Sequence, residues 1–115
     1  MVSDNAYLDD ILDAAKQVAV YIADMDRDAF LGDRKTQDAV VRQIEVMGEA
    51  ATRISDALKS SHPEIDWKGL SRLRNFYIHV YRRVDYRNVW QTCRNTIPRI
   101  RTAVEKIISP NPEAE

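Results

Sequence analysis

The chain has 115 residues, enough for one domain around one core and little more. Hydrophobic residues make up 44% and charged ones 30%, the balance of a folded globular protein rather than a disordered chain. No apolar run approaches the roughly 20 residues that span a bilayer, so no membrane association is expected. The start, Met1-Val2-Ser3-Asp4, turns acidic at once and lacks the basic-then-apolar layout of a secretion signal. Cys93 is the single cysteine, so an internal disulfide is ruled out and a reducing cytoplasm is the expected location. One cysteine and two histidines fall short of a structural zinc set, and neither metal nor cofactor is expected.

Helical periodicity runs through most of the chain. Leu8, Ile11, Leu12, Ala15, Val18, Ala19 and Ile22 form a first stripe, with Ser3 or Asp4 available as its cap. Asp26 to Asp33 reads as a half-turn or short helix before a break. A second helix is expected over Lys35 to Ser60, with Val40, Ile44, Met47, Ala51, Ile54 and Leu58 as its apolar side, ended by Ser60-Ser61-His62-Pro63. Gly48 inside it costs roughly 1 kcal/mol relative to alanine. Its small-residue setting, Met47-Gly48-Glu49-Ala50-Ala51, suits close approach of another backbone, either within the fold or in a dimer.

A third helix starts near Asp66, with Leu70, Leu73, Tyr77 and Val80 on one side. Asp85 caps a fourth, whose stripe is Val89, Cys93, Ile97, Ile100, Val104 and Ile107. Pro98 within it predicts a kink in the preceding turn. The tail, residues 109–115, is expected to fray. The expected fold is all-α, an antiparallel four-helix-type bundle with one short extra helix, as a single domain over 1–115.

The net charge of −1 hides an uneven distribution. Residues 1–33 hold eight acids against two bases, whereas residues 71–106 hold nine bases, eight of them arginine, against two acids. Arginine's planar fork matches phosphate oxygens. The asymmetry fits arginines pairing with the acidic first helix, a polyanionic partner such as RNA, or both.

His62, before a proline in a polar turn, reads as exposed and idle. His79 sits in an arginine-dense stretch, five residues after Arg74 and two before Tyr81. RNA is cut without metal when its 2′-hydroxyl attacks the adjacent phosphate. That reaction needs a group of near-neutral pKa to move protons and a fixed cation to hold the charge developing at phosphorus. His79 supplies the first and Arg74 the second. Tyr81 can donate to a phosphate oxygen or stack on a base, and Asn75 can orient either. Arg72, Arg82 and Arg83 flank the motif as candidate phosphate contacts. On a regular helix, positions 74 and 79 are rotated by about 140° from one another. One helix therefore does not aim both at a point. Either it ends near His79, or two copies of the chain bring their motifs together in a symmetric dimer.

The run Arg74-Asn75-Phe76-Tyr77-Ile78-His79-Val80-Tyr81, followed by Val84-Asp85 and Trp90, resembles the HepT-like branch of the HEPN proteins. Met47-Gly48-Glu49-Ala50-Ala51 and His62-Pro63-Glu64-Ile65-Asp66-Trp67 match that branch in kind and order. Ser71-Arg72-Leu73 stands where the branch usually has a glycine-methionine pair, a departure outside the motif. The resemblance spans nearly the whole chain, from the first helix to Ile108. It implies a homodimeric ribonuclease, the toxin of a toxin–antitoxin pair, with Arg74 and His79 catalytic and Asn75 supporting. It also implies an antitoxin partner, a minimal nucleotidyltransferase encoded nearby, which adenylylates the motif tyrosine, here Tyr81. The alternative is a non-catalytic helical accessory subunit that binds a nucleotidyltransferase and its nucleotide.

Overall fold

The computed structural model describes residues 3–80 and 84–108, and residues 75–80 by their backbone alone. The frayed tail expected over 109–115 lies outside the described residues. Helix α1, Asp4–Tyr21, starts at Ser3, whose side chain accepts from the Ala6 amide. Leu8, Ile11, Ala14, Ala15 and Val18 form its buried stripe, and Ile22 closes it. Ala19, expected on that stripe, faces outward. Each large apolar side chain taken fully out of water here contributes about 1.5–3 kcal/mol before ordering costs.

The acidic segment after α1 folds into the short helix α2, Arg27–Leu31, capped by Asp26 through the Ala29 amide at 2.8 Å. It turns Phe30 into the core against the Trp90 ring, with centroids 5.3 Å apart. Gln37 is buried but satisfied, its Nε2 donating to the carbonyls of Phe30 and Leu31 at 2.9 and 3.0 Å. That amide ties the end of α2 to the first turns of α3, Arg34–Arg53.

The second long helix does not run on to Ser60. It stops at Arg53, Ile54 takes extended backbone, and Ser55 caps a separate helix α4, Asp56–Ser61. The break is held from a distance. The Asp4 carboxylate accepts from the Ser55 amide at 2.9 Å and from its hydroxyl at 2.6 Å, while the Ser55 Oγ accepts from the Leu58 amide at 3.2 Å. These bonds hold the Asp4 carboxyl below its usual range.

Helix α5, Trp67–Val80, starts where expected, with the Asp66 carboxylate accepting from the Gly69 amide at 2.9 Å. His62 is half-buried rather than fully exposed, and its carbonyl accepts from the Trp67 indole at 3.0 Å. Tyr77 and Val80, expected on the apolar side, lie among the side chains outside the description. Asp85 caps α6, Tyr86–Gln91, which passes through a π-helical segment, Thr92–Thr96, into α7, Ile97–Ile108. The kink expected before Pro98 takes this form. Proline has no N–H for the carbonyl four residues back and its ring crowds that carbonyl, and a widened turn accommodates both. Cys93 lies within this segment, 3% exposed, and burial pushes its thiol up to about 12.

The long helices α1, α3, α5 and α7 form an all-α bundle: α1 packs on α3 and α7, α5 packs on α3, and α2 bridges α3 and α6. Among the described residues two separate short helices, α2 and α4, supplement it where one was expected. Among the described residues no helix is long and apolar enough to cross a membrane.

Candidate active site

Arg74 sits where α5 crosses α3, and the crossing is closest at Gly48. A Cβ on Gly48 would lie 2.6 Å from the Arg74 amide nitrogen and 2.7 Å from the Arg74 Cβ, so no larger residue fits without moving a helix. The small-residue patch therefore serves an approach within the fold. Packing thus fixes the base of the Arg74 side chain before any polar contact is made.

Its side chain is 34% exposed, and its guanidinium meets the next residue of α3: Arg74 Nη1 donates to Glu49 Oε2 at 2.7 Å. The other carboxylate oxygen, Oε1, accepts from Arg53 Nε at 3.1 Å, one turn along the helix. The hydrogen bond from Arg74, followed by its charge and then the contribution of Arg53, holds the Glu49 carboxyl below its usual range. Among the described residues, Arg74–Glu49 is the ion pair that joins two helices; Arg87 pairs with Asp85 and Arg101 with Glu105, both local. Those two arginines are not taken up by the acidic first helix, as one reading of the charge pattern expected.

The Arg74–Glu49 pair lies in a groove between α1, α3 and α5. Two adjoining hollows, of about 360 and 670 Å³, share Tyr7, Glu49, Arg53 and Arg74 in their walls. A third hollow of about 590 Å³ is walled, among the described residues, by His62, Pro98, Lys106 and Ile107 with others, and not by Arg74.

Of the residues singled out in the sequence, Arg74 is placed in full and Arg72 is exposed one turn-fraction earlier. Asn75 and His79 lie on the last turns of α5, their side chains outside the description. Tyr81, Arg82 and Arg83 lie outside the described residues altogether. Since α5 continues through His79 to Val80, positions 74 and 79 stand on one helix, turned by about 140°. Glu49 was missed as a site neighbour, although its signal was present: the residue after a close-contact glycine flanks the crossing.

This all-helical bundle, with an Arg-x4-His run on one of its long helices, is of the HEPN-like class. Within that class the chain belongs to the HepT-like ribonuclease family, which matches it over residues 11–107 under the description "Ribonuclease HepT-like". It is 39% identical over 103 residues to "Putative RNase MJ0127" of Methanocaldococcus jannaschii, covering 90% of this chain and 85% of the relative. It is 39% identical over 101 residues to "Probable ribonuclease HepT" of Thermococcus cleftensis, covering 88% and 92% respectively. "Putative RNase TTE0752" of Caldanaerobacter subterraneus subsp. tengcongensis is 28% identical over 108 residues, covering 94% and 96%. No solved structure matches the chain. The activity class of the family, ribonuclease, is the one the motif chemistry pointed to.

Proposed function

We propose that this protein is a metal-independent endoribonuclease, the toxin of a toxin–antitoxin pair, working in the cytoplasm as a single-domain homodimer. The observation that carries the reading is the placement of Arg74: its guanidinium is anchored at a helix crossing yet partly open to a groove. In the reaction the ribose 2′-hydroxyl attacks the adjacent phosphorus and gives up its proton to His79. The bond from phosphorus to the 5′-oxygen breaks, that oxygen takes a proton from solvent water while His79 returns its own to the resulting hydroxide, and a 2′,3′-cyclic phosphate remains. Arg74 stabilises the negative charge on the phosphoryl oxygens as the fifth bond forms. Asn75 supports this arrangement, and Arg72, Arg82 and Arg83 hold flanking phosphates.

Positions 74 and 79 stand about 140° apart around α5, which supports a complete site drawn from two chains meeting about a two-fold axis. The partner is a minimal nucleotidyltransferase that adds AMP to Tyr81. The added phosphate and nucleoside compete with RNA for the cation and fill the cleft.

The reading is tested with purified protein and a single-stranded RNA in the presence of a chelator. Cleavage is expected to persist, to yield cyclic-phosphate ends, and to vanish in His79→Ala. Equal cleavage by His79→Ala removes the acid–base assignment, and loss of cleavage on chelation removes the metal-free route. Intact mass after co-expression with the nucleotidyltransferase is expected to rise by AMP, and Tyr81→Phe to abolish the gain.

A further inference from the structure

The geometry points to Glu49 as a positioning residue for Arg74, setting the plane of the guanidinium that meets the RNA phosphate; this rests on the ribonuclease reading above. The inference starts from a cost. A carboxylate 2.7 Å from a phosphate-binding arginine lowers the positive potential offered to a polyanion, which works against RNA binding. An ion pair this exposed adds little to stability, so stability does not account for it. What the pair does supply is orientation.

Three features make the orientation specific. Gly48 lets the α5 backbone lie against α3, fixing the Cα–Cβ direction of Arg74. Glu49, the next residue, then stands beside the guanidinium and takes its Nη1 edge. Arg53 holds the remaining Glu49 oxygen at 3.1 Å, so the carboxylate is itself braced from α3 rather than left to rotate. The chain Arg53–Glu49–Arg74 thus crosses from one helix to the next and ends on the group that meets phosphate. An arginine fixed this way loses less freedom when the transition state forms, and catalysis gains from that more than binding does.

A split in kinetic constants follows. In Glu49→Gln an oxygen acceptor remains but the charge is gone, so RNA binds at least as tightly while the guanidinium is held less well. We expect KM unchanged or lower, and kcat reduced; in Glu49→Ala kcat falls further, by about 10- to 100-fold, the scale of a misplaced catalytic group. Circular dichroism and Tm are expected to stay near those of the unchanged protein, since both variants alter an exposed side chain. In parallel, the Arg74 side-chain Nε–Hε resonance, assigned by its loss in Arg74→Lys, is expected to shift in Glu49→Gln.

An unshifted Arg74 resonance overturns the pairing in solution. A kcat equal to or above that of the unchanged protein in both variants overturns the positioning role, the rise meaning that Glu49 restrains the enzyme instead. If the unchanged protein fails to cleave RNA while the resonance still shifts, the ribonuclease reading falls and the positioning role for that reaction falls with it, whereas the pair itself stands.

Discussion

Gly48 in α3 and Pro98 near the start of α7 are both residues that helix propensity disfavours, and the fold absorbs them differently. At Gly48 the helix stays regular and the missing side chain is used by a neighbour, because the Arg74 backbone occupies the space a Cβ would fill. At Pro98 no neighbour is required; the chain itself adjusts by widening to the π-helical segment Thr92–Thr96. A glycine is thus explained by what touches it and a proline by what it lacks. Only the first places the side chain proposed to meet phosphate.

The sharpest way to break this contrast is Gly48→Ala. Helix propensity favours alanine by about 1 kcal/mol. Forcing a Cβ against backbone costs about 1–3 kcal/mol or more, and the contact here, 2.6 Å from the Arg74 nitrogen, belongs at the upper end. Urea unfolding should show net destabilisation of about 2 kcal/mol, and RNA cleavage should fall with the displacement of Arg74. A gain in stability would mean that the crossing is loose.

Next in size is Ser55→Ala, which removes the cap of α4 and one of the two hydrogen bonds to Asp4. About 1 kcal/mol of stability should be lost. The Asp4 carboxyl is depressed in the folded protein, so its contribution is complete above its unfolded value of 3.8 and is lost as pH falls through the lower folded value. Acid titration should therefore separate Asp4→Asn from the unchanged protein at neutral pH and bring the two together only in strong acid.

Pro98→Ala should matter less. The residue is exposed, and the unfolded chain gains freedom as the ring is lost, so the stability change should stay within about 1 kcal/mol. Cleavage should match the unchanged protein, which distinguishes Pro98 from Gly48. The smallest effect at neutral pH concerns Cys93. With its thiol raised to about 12 against 9.0 when unfolded, it should resist thiol reagents at neutral pH and react once the chain unfolds. Its contribution to stability is complete below pH 9 and is lost between 9 and 12.

Much of the bundle was legible because local rules sufficed. The Ser3 cap, the α1 stripe, the start of α5 at Asp66 and the disturbance ahead of Pro98 all follow from short-range pattern. The end of α3 was not legible, because Ile54 and Leu58 continue its apolar spacing. What breaks the helix is Asp4, 51 residues away, binding Ser55. Of the site, Arg74 was legible as chemistry and Gly48 as packing, but that the two are one contact depends on how α5 crosses α3. Glu49 enters the site only through that crossing.

The claim that two chains complete one site is tested most directly by mixing Arg74→Ala protomers with His79→Ala protomers. Each homodimer should be inactive. If one chain supplies the arginine and the other the histidine, a mixed dimer contains one site with both residues intact, and RNA cleavage should return on mixing. Continued inactivity of verified mixed dimers would contradict the account, placing Arg74 and His79 of a single chain in the same site.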